Sequence, residues 1–500
     1  MKQQTAHQPH GFAVFFATEM WERYGFYVIQ GLMILYLTAY FKLSDVQSYA
    51  ILGSFTALAY CTPLIGGHLA DKILGYRHAV ICGGILLCIG YAVIAVSKTL
   101  PPMYLSLGMI TMGTGLLKPN VSAFLGTMYQ KNDTRRENGF TLFYVGINLG
   151  IILATFASGY IARYAGWHNS FASASAGLVM GVLIFAYGTN SYKIKDTRFS
   201  KPARNSQIIW AYIAITCMVL INTALIHFIV IANIFFLFLS VLAIGLVLAH
   251  IGRETGKDRR RIIAYLLMLT MSVVFWAIYF QMFFSLNLFV QRAVDHHLLG
   301  LNVPTPVFLG IESIGVITFG PILGRLWQHL KSLQRGPSTP TKFSLGLIFM
   351  TLSLALLLLG TLLTPLGHLL SPSWLIAAYL LLSIGDLSLS AIGLSMVTEL
   401  IPPKLTGLMM GIWFVSLGVG GKLAGLFADW SAIPHGVNKL SKIEPVYYHA
   451  FARYAVLGFI ASVIAVALTP FIKRLISHED PEQDTDTATN ILEASSSKVA

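Results

Sequence analysis

Long apolar runs separated by short polar clusters repeat along the whole chain, and their lengths set the first expectation. Runs of spanning length lie near 11–41, 47–70, 79–97, 101–128, 139–164 and 170–190. Two follow near 206–226 and 229–251, then six near 262–291, 304–328, 343–365, 373–401, 405–429 and 449–472. A helix rises about 1.5 Å per residue, and a bilayer core takes about 20 residues to cross. Each run is a candidate membrane helix, so the pattern predicts an all-α polytopic membrane protein with fourteen transmembrane spans. The spans group as six, two and six. The expected units are a six-helix bundle over 1–190, linker segments with two additional membrane helices over 191–261, and a second six-helix bundle over 262–475. The tail over 476–500 is polar and rich in Ser and Thr, which predicts disorder.

Composition agrees. The 500 residues are 55% hydrophobic and 11% charged, against about 25% charged in soluble domains. Mean hydropathy is +0.69. The formal net charge of +13 suggests a nucleic-acid partner until its placement is read. Lys72, Arg77 and His78 follow the second run; Lys131, Arg135 and Arg136 follow the fourth. Lys193, Lys195, Arg198, Lys201 and Arg204 follow the sixth, and Arg253, Lys257 and Arg259 to Arg261 the eighth. Arg325, Lys331, Arg335 and Lys342 flank the connection after the tenth. Alternate loops thus carry the positive charge, which places them and both termini in the cytoplasm. The expected partner is the lipid bilayer, with no role for nucleic acid. Cys61, Cys82, Cys88 and Cys217 fall in apolar runs without metal or disulfide spacing. The first run suits a retained span rather than a cleaved signal. No HExxH pattern or closed nucleophile elbow points to an enzyme.

Charge inside the spans is rare and therefore informative, since each such group costs about 2.5–3.5 kcal/mol near the bilayer centre. Glu19, Glu22 and Arg23 share one helical face, three and four residues apart. An ion pair tying helices together would use the same residues, but three groups in one turn favour a transport site. Lys118 lies about ten residues, or about 15 Å, from the cytoplasmic end of its run, far for snorkelling. Tyr144 and Asn148 share a face at i and i+4 and offer hydrogen bonds or helix packing. Glu312, Asp386 and Lys422 sit inside the second bundle, with Lys422 at a depth that makes it a candidate base for Glu312. Gln281 and Asn287 read as helix–helix hydrogen bonders.

Several motifs carry a family resemblance. The turn from Gly67 to Arg77, with Asp71 and Lys72 between glycines, resembles the loop of the major facilitator superfamily. Glu19-x-x-Glu22-Arg23 resembles the ExxER signature of the proton-dependent oligopeptide transporter family. Phe143-Tyr144 with Ile147-Asn148 and Gly150 is similar to that family's FYxxINxG motif, and Met409-Met410-Gly411 with Trp413-Phe414 to its MMGxWF segment. The stretch from Tyr24 to Gly31 and the pair Gln281-Met282 resemble the bacterial di- and tripeptide permease type.

The resemblance implies a major facilitator fold and a proton-coupled symporter importing short peptides across the bacterial inner membrane. Protons are the coupling ion, no cofactor is implied, and a monomer is the expected working unit. The resemblance assigns Arg23 and Lys118 to the peptide carboxylate and Glu22 to the proton, with Glu19 in the same coupling group. It places Tyr27, Tyr60, Tyr144, Asn148 and Trp413 on the pocket wall. Glu312 and Asp386 fall where the family receives the peptide's amino group, but relatives carry asparagine and glutamate there. Those departures raise an atypical preference for basic substrates, and a proton-coupled transporter of another amine-bearing or cationic metabolite is the alternative.

Overall fold

The computed structural model describes residues 7–477 apart from 131, 132, 134, 195, 197–204, 299 and 435. The apolar runs fold as helices, all but one of them unbroken: α1 (Phe12–Ala39), α2 (Asp45–Leu69), α3 (Gly75–Val96), α4 (Leu100–Gly126), α5 (Arg135–Ala165) and α6 (Trp167–Ser191). Next come α7 (Asn205–His227), α8 (Ile229–Arg253), α9 (Gly256–Tyr279) and the short α10 (Ser285–Ala293). The series ends with α11 (Thr305–Ser332), α12 (Thr339–Leu363), α13 (Pro372–Leu400), α14 (Thr406–Ala428) and α15 (Leu440–Ser477). Among the described residues, eleven helical stretches are long and apolar enough to cross a membrane, one of them containing both α2 and α3. Helix α1, weighted with its three charged side chains, and α4 are not among the eleven. The tail beyond residue 477, and Lys131, Lys195, Arg198, Lys201 and Arg204, lie outside the described residues.

One expected span is not a single helix. The run at 262–291 breaks after Tyr279 into a 3₁₀ turn over Phe280–Phe283, and α10 restarts past Phe284 at φ −106° and ψ −101°. Side chains satisfy polar groups around this break. Gln281 Nε2 donates to the Ala424 carbonyl at 2.9 Å, and Ser285 Oγ donates to Gln281 Oε1 at 2.6 Å. Gln281 Nε2 also donates to the Ala277 carbonyl at 3.2 Å, so a side chain serves one backbone acceptor near the end of α9, as membrane-buried backbone requires. The turn between α2 and α3 locks helix ends, as such a motif can: Arg77 Nη2 donates to Asn190 Oδ1 at the end of α6, 2.6 Å away.

Packing follows the small residues. Helix α1 lies against α5 and α6, α4 against α2 and α3, α14 against α9, and α12 against α13 and α15. The early and late helices meet along two seams, α2 on α14 and α5 on α11. A Cβ on Gly53 would stand 3.3 Å from the Gly425 Cα, so the first seam closes backbone to backbone. The extra pair packs outside this core: Asn222 of α7 donates to Thr111 of α4 at 3.0 Å, and Leu237 and Phe238 of α8 stay mostly exposed. Such apolar, uncovered faces suit lipid.

Where α2 begins and α10 ends, the two sets of helices are locked. Arg292 donates to both Asp45 oxygens, at 2.6 and 2.8 Å, and the Ile433 amide donates to Asp45 at 2.9 Å. Tyr49 and Ser431 share a hydrogen bond at 3.1 Å, and Asn287 donates to the Gly31 carbonyl at 2.9 Å.

Candidate functional site

Below the locked end lies a cavity of about 970 Å³. Its lining runs towards the start of α5 and the end of α13, reaching Glu137, Thr141 and Ser395. Ten of the eleven sequence candidates line it: Glu19, Arg23, Tyr27, Tyr60, Lys118, Tyr144, Asn148, Glu312, Asp386 and Trp413. Glu22 does not. It is buried immediately behind Arg23, which it contacts directly.

Local sequence explains how these groups converge. Residues 19, 22 and 23 occupy one face of α1, and all three side chains are at most 3% exposed. Arg23 pairs with the Glu22 carboxylate, and its Nε lies 3.4 Å from Glu19 Oε1. Helix α5 presses close to this turn because residue 150 has no side chain: a Cβ there would fall 2.4 Å from the Met20 carbonyl oxygen. The last glycine of the fifth-helix motif is therefore a packing requirement. Lys118 reaches in from α4, which meets α2 at another bare contact, since a Cβ on Gly115 would stand 2.7 Å from Thr62 Cβ. Its ammonium lies over the Tyr60 ring, 5.0 Å from the centroid. Arg23 sits over Phe26 at the same distance. Cations held against aromatic faces keep partial compensation while remaining open to an anion.

The opposite wall is acidic. Glu312 on α11 and Asp386 on α13 are both buried. Ser313 donates to Glu312 Oε2 at 3.2 Å, and Glu312 Oε1 meets no hydrogen-bond geometry among the described residues, with the Tyr279 hydroxyl the group beside the carboxyl. Among the described residues neither carboxylate has a salt bridge. Trp413 enters from α14 and packs on Gly393, where a Cβ would meet the indole at 2.0 Å. Asn148 Nδ2 donates to the Tyr144 backbone carbonyl at 3.0 Å, and both residues line the cavity from α5.

The expectation that Lys422 could serve Glu312 is corrected. Lys422 Nζ donates to Ser54 Oγ of α2 at 2.9 Å and does not line the cavity. A helix turns about 100° per residue, so nine positions from Trp413 put Lys422 on the opposite side of α14. Gln281 and Asn287 are the helix–helix hydrogen bonders that the sequence implied.

Sequence reasoning missed a band of aromatics: Trp276, Tyr279, Phe280 and Phe283 also line the cavity. Their spacing of three and four marks one helical face, and that signal was readable, but aromatics in an apolar run look like ordinary core. Gln30, also on the wall, approaches Thr56 at 3.4 Å.

A helical bundle closed at one end above a charged, aromatic cavity is the architecture of a secondary transporter. The chain matches the POT family over residues 77–445 and belongs to it, with its all-α fold of the major facilitator type. It is thus a transporter rather than an enzyme. It is 33% identical to the dipeptide and tripeptide permease A of Cronobacter turicensis, across 96% of both chains. It is similar to the crystal structure of peptide transporter POT in complex with sulfate, with a TM-score of 0.82 and 27% identity over 95% of this chain and 98% of the other. It is also similar to tetrameric PepTSo2, with a TM-score of 0.84 and 26% identity over 93% and 99%.

Proposed function

We propose that this protein is a proton-coupled symporter that imports di- and tripeptides across a bacterial inner membrane, with a preference for basic substrates. The observation that carries the reading is the polarity of the cavity. Arg23 and Lys118 supply its positive wall, and Glu312 and Asp386 its negative one. A peptide presents a carboxylate at one end and an ammonium at the other, and the arrangement complements both.

Coupling follows from Arg23. In the empty cavity its guanidinium serves Glu22 and Glu19. A substrate carboxylate that engages Arg23 competes for the same donors. Glu22 then needs another countercharge, because an unpaired buried carboxylate is costly, and a proton is the one available. Proton and substrate therefore assist each other's binding, reciprocally. With both termini in the cytoplasm, the locked end faces the periplasm, and the cavity is inward-facing. The six, two and six grouping supplies two bundles that rock about the site, with α7 and α8 outside them. All candidate residues come from one chain, which supports a monomeric working unit.

Counterflow tests substrate class. Liposomes loaded with unlabelled competitor should exchange labelled alanyl-alanine for di- and tripeptides and not for free alanine. Exchange driven by polyamines but by no peptide would replace the peptide reading with the amine-metabolite one.

A further inference from the structure

The acidic wall holds one more carboxylate than a neutral peptide can satisfy. The groups within electrostatic reach of Glu312 are Tyr27 from α1, Tyr144 from α5, Tyr279 from α9, and Tyr379 and Asp386 from α13, with Ser313 and Tyr279 beside its carboxyl. These are hydroxyls and one further acid, with no lysine or arginine among them. Lys422, the nearest candidate base by depth, is turned away to Ser54. Across the cavity, Arg23 and Lys118 face Glu19 and Glu22, two cations for two acids, leaving nothing over for the far wall.

A peptide with neutral side chains brings one ammonium to two carboxylates. The second carboxylate has to be neutralised by a proton, because Glu312 and Asp386 are both buried and an uncompensated buried charge is costly. A peptide with a lysine or arginine side chain brings two cations and satisfies both acids without that proton.

We propose that Glu312 is the position at which a cationic side chain of the substrate replaces a co-transported proton, so that proton stoichiometry depends on substrate charge. This rests on the transport reading above. The balance is simple. A neutral peptide moves with one proton more than a basic peptide, and the basic peptide carries one positive charge itself. Total charge per cycle is the same for both, while proton number differs by one.

Two driving forces separate these quantities in proteoliposomes containing the full chain. With the membrane potential clamped at zero and an inward gradient of one pH unit, each coupled proton multiplies limiting accumulation by about ten. Alanyl-alanine should therefore reach about tenfold higher limiting accumulation than alanyl-lysine. Under a membrane potential alone, with no pH gradient, the two should accumulate equally, because they move equal charge. In Glu312→Gln the difference under the pH gradient should vanish. Equal accumulation of both peptides by the wild type under the pH gradient would overturn the proposal without touching peptide symport. So would a tenfold difference that survives in Glu312→Gln. Failure of either gradient to drive either peptide would overturn the transport reading itself, and this inference with it.

Discussion

The lock beside the cavity gives a perturbation whose size follows from its geometry. Asp45 accepts two hydrogen bonds from Arg292 and one from the Ile433 amide. These contacts join α2 to α10 and to the segment after α14, so they exist only while that end is closed. Asp45→Asn keeps one acceptor oxygen for the Ile433 amide but removes the charge and turns an amide donor towards the guanidinium. Hydrogen bonds to charged groups contribute about 1.5–3 kcal/mol each in net terms. Asp45 is 5% exposed but Arg292 is 24% exposed, so solvent screens part of this. A loss of about 2–3 kcal/mol from the closed form is the reasonable magnitude, which moves the equilibrium about 30- to 150-fold towards opening. Spin labels on Val46→Cys and Asn438→Cys, both at exposed positions near the lock, report the separation directly. The expected result is a short-distance population in the parent protein and a second, longer one in Asp45→Asn. Identical distance distributions would show that the ion pair does not hold this end shut.

Arg23→Ala and Lys118→Ala should each weaken binding of alanyl-alanine by about 2–5 kcal/mol, the usual cost of removing one partner of a buried charge contact. Titration calorimetry reads the loss, and the peptide amide, which has no carboxylate, should be little affected. Glu22→Gln, a permanent stand-in for the protonated acid, should lose gradient-driven accumulation yet retain counterflow; full driven uptake would move the coupling site elsewhere. Glu312→Asn should abolish the advantage of alanyl-lysine over alanyl-alanine in competition binding, and an unchanged preference would exclude Glu312 as its source. Gly150→Leu should lower the melting temperature or prevent folding altogether, because its Cβ would overlap the α1 backbone at Met20.

How much of this was legible in the sequence depended on the kind of signal. The rods of the fold were readable because apolar length is a direct consequence of bilayer thickness. Glu19, Glu22, Arg23 and Lys118 stood out because a charge within an apolar run has few innocent explanations. Glu312 and Asp386 could be placed by depth alone, and the structure brings both to the cavity wall. Depth says nothing about rotation, and this is where Lys422 misled. Its distance along α14 resembled that of Glu312 along α11, yet it faces α2. The break after Tyr279 was invisible to hydropathy because no proline or glycine marks it, and the Gln281 side chain serves the Ala277 carbonyl there. The aromatic band of α9 and the turn after it was hidden for a related reason: Trp276, Tyr279 and Phe283 differ from core residues only in what they face.

The decisive measurement for proton-coupled peptide import is accumulation of labelled alanyl-alanine in proteoliposomes, under an inward proton gradient in sodium-free buffer. The account requires accumulation above the external concentration that collapses when a protonophore is added. Accumulation that persists with the protonophore and depends on sodium would contradict it.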